Sequence, residues 1–265
     1  MRTEWNDLLA PGDADDHFAD VGSAPPLTVE ARWRAGNAWW LAELSRLAYR
    51  GDRRRALAAA GFAEVHEVEI DGTFAALLQR TRVPDCAVLV FRGTASLRDW
   101  LVNVRAVRRS WRGPGRVHYG FRRALLRIWD QLEGPLAAAP RGLFFTGHSL
   151  GGALATLAAT LHAPLATYTF GAPMVGDRAF VDALPSGLHR VVNGRDLVPQ
   201  LPPTRGGYVH GGALQHLGGA LASPTVTLTT ATAQLAAPGS KLAPHPALMD
   251  HAPRRYVELL RRLAQ

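Results

Sequence analysis

Apolar and polar positions repeat along this chain in patterns typical of a protein that alternates helices and strands. From Ala35 to Gly51, bulky apolar residues recur at helical spacing and predict a helix, and residues 53–60 predict a shorter one. The next three apolar runs have the length and composition of strands, at Phe62–Ile70, Phe74–Arg80 and Cys86–Phe91. The pair Asp71-Gly72 separates the first two runs and predicts a tight hairpin turn.

Beyond residue 86, short apolar runs alternate with segments of helical period. We expect further strands at 143–146, 165–170 and 188–193, and helices at 121–132, 153–159 and 252–264. Gly134-Pro135 should end the first of these helices. The alternation predicts an α/β fold with a mostly parallel central sheet and helices on both faces.

Two segments lack this periodicity. Residues 1–30 are rich in Asp, Pro, Gly and Ala, so we expect a loose N-terminal arm ahead of a single α/β domain over residues 31–265. Residues 199–245 are rich in Pro and Gly, apart from a β-branched run at 226–229, and predict mainly loop.

The candidate chemistry begins at Gly147-His148-Ser149-Leu150-Gly151, a G-x-S-x-G sequence between a predicted strand and a predicted helix. A tight strand-to-helix turn leaves room only for small residues beside the serine, and the two glycines meet that requirement. A simpler interpretation is a glycine-rich turn with an incidental serine. The flanking strand and helix favour a nucleophilic Ser149 held at a helix N-terminus.

A nucleophilic serine needs a base, a group that orients the base, and donors for the oxyanion. Where this turn carries catalysis, the acid and then the histidine follow the serine along the chain. His251 is the favoured base because it lies in a short loop before the last predicted helix, and His245 and His210 remain alternatives. The histidines that we expect not to act as the base are His162 in the helix after the serine, His189 at a strand start and His216 in a Gly-rich loop.

Four aspartates follow the serine and are candidates for the acid, namely Asp177, Asp182, Asp196 and Asp250. Asp196 is favoured because it follows a predicted strand at its carboxyl end, where catalytic side chains gather in such sheets. Asp177 follows the preceding predicted strand and is the main alternative. Asp250 adjoins His251, but neighbouring side chains rarely face each other productively.

Composition narrows the class of protein further. The net charge is +8 and arginine supplies nearly all of the positive charge, but the arginine clusters match no nucleic-acid-binding motif, so we expect no nucleic-acid partner. No apolar run approaches membrane-spanning length, and we expect no transmembrane segment. The N-terminus lacks the apolar core of a secretory signal, and Cys86 is the single cysteine, which predicts a cytoplasmic location.

At this point the sequence resembles a known family, the class 3 (fungal-type) lipases of the α/β-hydrolase group. The resemblance covers roughly residues 35–260, and several motifs arrive in the family's order. The motifs that carry it are Phe91-Arg92-Gly93-Thr94, Asp99-Trp100, His118-Tyr119-Gly120-Phe121, Gly147-His148-Ser149-Leu150-Gly151-Gly152, Gly171-Ala172-Pro173, Asp196-Leu197-Val198-Pro199, Leu201-Pro202-Pro203, Gly207-Tyr208-Val209-His210, and Asp250-His251 before a helix with Tyr256.

The resemblance implies roles for particular residues. Ser149, Asp196 and His251 would form the catalytic triad, in agreement with the choice made from the residues. Thr94 and the backbone N–H of Leu150 would form the oxyanion hole. The segment 95–103 would correspond to a lid, in which Leu97, Trp100 and Leu101 can share one apolar face at helical spacing.

Together these observations predict a serine carboxylic-ester hydrolase, in the first place a lipase acting on acylglycerols. A phospholipase A1 or a soluble-ester esterase would use the same machinery, and a catalytically silent lipid-surface protein would keep only the fold. The expected partner is a lipid or ester substrate at a lipid–water interface. No metal and no organic cofactor are expected.

Overall fold

The computed structural model describes residues 9–19, 21–94, 107–218 and 246–265. In chain order the described α-helices are α1 (Ala35–Leu47), α2 (Arg54–Ala59), α3 (Tyr119–Ala137), α4 (Leu150–Ala158), α5 (Arg178–Asp182), α6 (Pro246–Met249) and α7 (Pro253–Ala264). The described strands are β1 (Phe62–Ile70), β2 (Thr73–Arg80), β3 (Cys86–Phe91), β4 (Arg108–Ser110), β5 (Arg116–His118), β6 (Gly142–His148), β7 (Ala166–Phe170), β8 (Leu188–Asn193) and β9 (Ala213–Leu217).

Seven of these strands form one sheet in the order β1-β2-β3-β6-β7-β8-β9. Within this sheet β3, β6, β7, β8 and β9 run parallel to one another, whereas β1 pairs antiparallel with β2 and β2 pairs antiparallel with β3. The predicted mostly parallel sheet is therefore confirmed. The predicted hairpin between β1 and β2 is also confirmed. Its turn residues Asp71 and Gly72 both have positive φ, at 48° and 75°, as a tight turn between antiparallel strands requires.

Both faces of the sheet are buried, which explains why its central strands are apolar throughout. Along β3, Val88 and Val90 contribute to the core on the side of α1 and α7, whereas Leu89 and Phe91 contribute to the core on the side of α3 and α4. Successive side chains of a strand point to opposite faces, so a strand covered on both sides must be apolar at every position. The predicted coverage by helices on both faces is therefore confirmed.

Two predictions about individual elements are wrong. Helix α3 continues through Pro135 to Ala137 instead of ending at Gly134, because Leu132 and Leu136 are both fully buried and extend the packed face by one turn. The segment read as loop after residue 199 contains strand β9, which pairs in parallel with β8. A five-residue edge strand with only Leu217 buried leaves little periodic signal in the sequence.

The expectation of a loose N-terminal arm is corrected for its described part. Phe18 is buried, with its ring centroid 5.5 Å from that of Trp40. Arg46 of α1 donates hydrogen bonds to the carbonyl oxygens of Pro11 and Asp16, at 2.7 and 2.8 Å. These contacts join residues that are far apart in the sequence, and the local composition of the arm does not predict them. Within the described residues, no helix has the length and apolarity needed to cross a membrane.

Candidate active site

Ser149 occupies a strained turn between β6 and α4. Its φ of 58° and ψ of −127° lie outside the regions that L-residues favour. A Cβ on Gly147 would lie 2.3 Å from the carbonyl carbon of Gly151, and a Cβ on Gly151 would lie 2.2 Å from the carbonyl oxygen of Phe91. Only glycine fits at both positions. The predicted strand–turn–helix context of the serine is confirmed.

Asp196 and His251 form a buried pair at the carboxyl ends of the parallel strands. His251 Nδ1 lies 2.8 and 3.0 Å from the two carboxylate oxygens of Asp196, and both side chains are fully buried. Gly171, with φ at 59°, makes room for the pair, because a Cβ there would lie 2.6 Å from Asp196 Oδ2. Nδ1 therefore donates to the carboxylate, and Nε2 of a neutral His251 is left as the proton acceptor.

Tyr256 of α7 holds the carboxylate of Asp196 from the other side. Its hydroxyl donates to Asp196 Oδ2 at 2.5 Å and accepts from the backbone N–H of Asn193 at 3.1 Å, while the N–H of Val198 donates to Asp196 Oδ1 at 2.9 Å. Burial, and then the negative charge of Asp196, raise the pKa of Tyr256 well above its ordinary value. Tyr256 thus remains a hydrogen-bond donor. The sequence drew attention to this tyrosine only as part of the family resemblance and indicated no role for it.

His148, the residue before Ser149, contacts His251 directly. Its Nε2 lies 2.7 Å from the carbonyl oxygen of His251, and the two ring centroids are 4.5 Å apart. A carbonyl can only accept, so Nε2 carries the proton and Nδ1 accepts from the hydroxyl of Tyr49 at 2.9 Å. Burial, and then the charge of a protonated His251, lower the pKa of His148 well below its ordinary value. A neutral His148 therefore anchors the loop that carries His251.

The two atoms that a proton transfer would join are both available. Ser149 Oγ and His251 Nε2 are buried and form no hydrogen bond with any described residue. Buried polar atoms without partners are rare in folded proteins and call for a reason, of which a catalytic role is one. The contact between His148 and His251 places this unpaired base against the turn that carries the unpaired hydroxyl.

The two residues predicted for the oxyanion hole lie beside the same turn. Leu150 is the first residue of α4, so its backbone N–H has no acceptor within the helix. Thr94 follows β3, and the chain before it passes so close to the turn that a Cβ on Gly93 would lie 2.8 Å from the carbonyl oxygen of His148. Their role as oxyanion donors remains a prediction. The lid candidates Leu97, Trp100 and Leu101 lie outside the described residues.

The alternative acids have other partners. Asp177 caps α5 by accepting from the N–H of Phe180 at 3.1 Å, and it also accepts from the N–H of Arg116 at 3.1 Å. Asp250 accepts from the N–H of Arg195 at 2.9 Å and so closes the turn after β8. Both carboxylates stabilise loops, and the structure brings neither to the imidazole of His251.

The alternative bases are accounted for in the same way. His210 donates from Nε2 to the carbonyl oxygen of Pro199 at 2.6 Å, and burial lowers its pKa to about 4. His245 lies outside the described residues. His189 and His216 donate to backbone carbonyls of Ala31 and Gly194. His162 follows the helix rather than lying in it, because α4 ends at Ala158.

No group of three or more His, Cys, Asp or Glu among the described residues is placed to hold a metal ion.

A mostly parallel sheet with a serine on a strained strand-to-helix turn, followed along the chain by a paired aspartate and histidine, defines an α/β-hydrolase fold. The sequence profile of the family described as Lipase (class 3) matches residues 88–206, a segment that contains both Ser149 and Asp196. Over this segment the predicted resemblance to the class 3 lipase family is confirmed.

Individual relatives agree with this assignment. The chain is 33% identical over 187 residues to a lipase of Rhizomucor miehei, a match that covers 62% of this chain and 50% of the relative. It is 36% identical over 142 residues to the secreted mono- and diacylglycerol lipase 1 of Fusarium solani, covering 46% and 41%. The chain thus spans half or less of the length of these two relatives.

Solved structures show the same fold. The R. miehei triacylglyceride lipase superposes with a TM-score of 0.58 at 27% identity, over 68% of this chain and 79% of that one. Lipase II from Rhizopus niveus superposes with a TM-score of 0.56 at 25% identity, over 69% and 77%. These matches confirm the predicted fold class.

Proposed function

We propose that this protein is a serine carboxylic-ester hydrolase that cleaves acylglycerols. The observation that carries the proposal is the buried Asp196–His251 pair, at 2.8 Å, held by His148 against the strained turn of Ser149. The names of the R. miehei and F. solani relatives support acylglycerols as the substrate class.

The residues of the site can carry out the first half of ester cleavage. Ser149 Oγ attacks the ester carbonyl while His251 Nε2 takes its proton, and the Asp196 carboxylate stabilises the imidazolium that forms. The N–H of Leu150 and Thr94 would receive the developing oxyanion. His251 then returns the proton to the departing alcohol, and the acyl group remains on Ser149.

Water completes the cycle by the same steps. His251 takes a proton from a water molecule, the hydroxide attacks the acyl-enzyme, and the carboxylic acid leaves as the proton returns to Ser149. No step requires His148 to change its protonation state, which fits its low pKa. A neutral neighbour does not oppose the positive charge that His251 acquires in each half of the cycle.

The assay that tests the proposal combines labelling with a substrate panel. A fluorophosphonate probe should label the protein at Ser149, and a panel of triacylglycerol, phosphatidylcholine and a soluble short-chain ester should give the highest rate on triacylglycerol. A preference for the phospholipid would indicate a phospholipase A1, and a preference for the soluble ester would indicate an esterase. Absence of both labelling and turnover would indicate a catalytically silent protein.

Ser149→Ala should abolish ester hydrolysis, with a loss on the order of 10⁶-fold in kcat, because no other group can form the acyl-enzyme. Circular dichroism and the melting temperature of the variant should match the wild type, since the alanine removes only one buried oxygen. Residual activity above a few per cent in the purified variant would show that Ser149 is not the nucleophile.

A further inference from the structure

The segment from Val107 to Trp129 has an unusual charge balance. It contains no aspartate and no glutamate. Its arginines are Arg108, Arg109, Arg112, Arg116, Arg122, Arg123 and Arg127. Such a run of one sign creates a field that attracts anions to whichever surface it occupies.

Most of these arginines form no ion pair within the part of the chain that the structure describes. Arg108 forms an ion pair with Asp177 at 3.4 Å, and Arg127 forms one with Asp71 at 3.2 Å. The exposed residues Arg109, Arg112, Arg116 and Arg123 form no ion pair with any described residue. We call these four residues the arginine surface.

Arg109 and Arg123 of the arginine surface lie at the carboxyl edge of the sheet, which carries the candidate active site, whereas Arg112 lies at the hairpin tip beside Trp111, whose Nε1 donates to Thr160 Oγ1 at 2.8 Å beyond the far end of α4. Val117 of β5 bridges to Gly176, which follows β7, and Gly176 bridges to Val209, which follows β8. The N–H of His118 also donates to the carbonyl oxygen of Val175 at 2.9 Å. The β4–β5 hairpin is therefore fixed against loops at the carboxyl ends of the strands, where Ser149 and Asp196 also lie.

Helix α3 extends the arginine surface along the same edge. A helix that precedes a parallel strand runs back across the sheet, so the N-terminal turns of α3 lie at the carboxyl edge. Arg122 and Arg123 are placed in those turns, close to the positive end of the helix dipole. Both arginines lie just beyond the first turn, where the dipole has little effect, so the stability of the helix does not require a positive charge at either position.

Exposed apolar side chains flank the charges. Val107 is 41% exposed and Tyr119 is 43% exposed, and the guanidinium of Arg109 lies 5.9 Å from the centre of the Tyr119 ring. Arginine together with exposed aromatic and aliphatic side chains is typical of surfaces that lie at a lipid interface. An exposed valine adds nothing to the recognition of a phosphodiester backbone, so a lipid surface fits this combination better than a nucleic acid does.

We propose that the arginine surface docks this protein onto anionic lipid surfaces and thereby presents the carboxyl edge of the sheet to the lipid. The consequence for lipid hydrolysis rests on the proposed function, whereas the binding does not. Each arginine near an anionic membrane contributes about a fivefold gain in affinity, and the effect weakens as salt is added.

Vesicle flotation tests the binding, with the Ser149→Ala protein so that no lipid is consumed. Vesicles of phosphatidylcholine with phosphatidylglycerol should bind the protein, and vesicles of phosphatidylcholine alone should bind it weakly. Arg109→Glu/Arg123→Glu should lower the affinity for the anionic vesicles by roughly 30-fold or more. The matched control is Arg82→Glu/Arg141→Glu, which changes the net charge equally at exposed positions before β3 and β6, at the opposite edge of the sheet. The control should keep most of the affinity.

Other results would overturn the proposal. Equal losses in the two double variants would show a general charge effect, and equal binding to both kinds of vesicle would exclude anionic docking. Binding of a labelled oligonucleotide that anionic vesicles fail to displace would assign the surface to nucleic acid. The proposed function and the lipid docking are tested by separate measurements. If the proposed function is wrong, the fluorophosphonate probe does not label the wild type, but the protein still floats with the anionic vesicles. Melting temperatures within a few degrees of the wild type show that the variants are folded.

Discussion

At the scale of single residues, the role of a carboxylate in this protein depends on the groups that donate hydrogen bonds to it. Asp177 and Asp196 both follow strands at the same edge of the sheet. Asp177 receives backbone N–H groups and an arginine, so its charge stabilises the ends of α5 and β5. Asp196 receives an imidazole, a phenol and one backbone N–H, so its charge is directed at His251.

This difference predicts that replacing aspartate by asparagine lowers activity at position 196 and stability at position 177. Asp196→Asn should lower kcat by about 10⁴-fold, because an amide that donates to Nδ1 selects the wrong tautomer of His251. Asp177→Asn should leave kcat within a few-fold and lower the free energy of unfolding by about 1 kcal/mol, because a charged cap and an ion pair are lost. Steady-state kinetics and urea unfolding of both variants test the ranking. The reverse ranking in kcat would move the acid to Asp177.

At the scale of elements, α7 links the core to the site. Tyr256 and Leu260 lie one helical turn apart on α7, and both are buried in the core that α7 shares with α1. The same tyrosine bonds Asp196, and α7 begins two residues after His251. Packing of one amphipathic helix therefore positions both members of the Asp–His pair.

Removal of the tyrosine hydroxyl isolates this contribution. Tyr256→Phe should lower kcat/KM by about tenfold or more, since a hydrogen bond to a charged group is worth roughly 1.5–3 kcal/mol. Tyr168→Phe is the matched control, because Tyr168 is another buried tyrosine whose hydroxyl bonds the backbone of Arg32 and Arg34 instead. The control should lower the melting temperature without changing kcat/KM. An equal effect of both variants on activity would show that Tyr256 acts only through stability.

At the scale of the whole molecule, buried neutral histidines make stability depend on pH. Burial is the largest cause of the lowered pKa of His17, His148 and His210. Each is harder to protonate in the folded protein than in the unfolded chain, so acid favours unfolding. The stability is fully present above the unfolded pKa of about 6.5 and is lost as the pH falls through the folded values.

His210 permits a test of this dependence, because its folded pKa is about 4. Between pH 7 and pH 4.5, the wild type should lose on the order of 2 kcal/mol of unfolding free energy through this residue alone. His210→Gln keeps an N–H donor for the carbonyl oxygen of Pro199 and cannot be protonated in this range. Urea unfolding at the two pH values should therefore show a smaller loss for the variant, and equal losses would exclude His210 as a contributor.

Local features could be predicted from the sequence because they depend on neighbouring residues. The helical period of α1, the apolar run of β3 and the Asp71-Gly72 turn each identify their own structure. The serine turn is also local, since its glycines are required within two positions of Ser149. The choice of Asp196 and His251 followed from chain order and strand ends, and the structure brings these two side chains together.

Tertiary structure alone decided the contacts that join distant parts of the chain. Asp196 and His251 are 55 residues apart, and Tyr49 and His148 are 99 apart. The continuation of α3 through Pro135 and the packing of the N-terminal arm by Phe18 depend on core contacts that no local period records. Strand β9 needs a partner to be a strand at all, because its hydrogen bonds are to β8. Local sequence determines which elements can form, and burial together with long-range hydrogen bonding determines which residues meet.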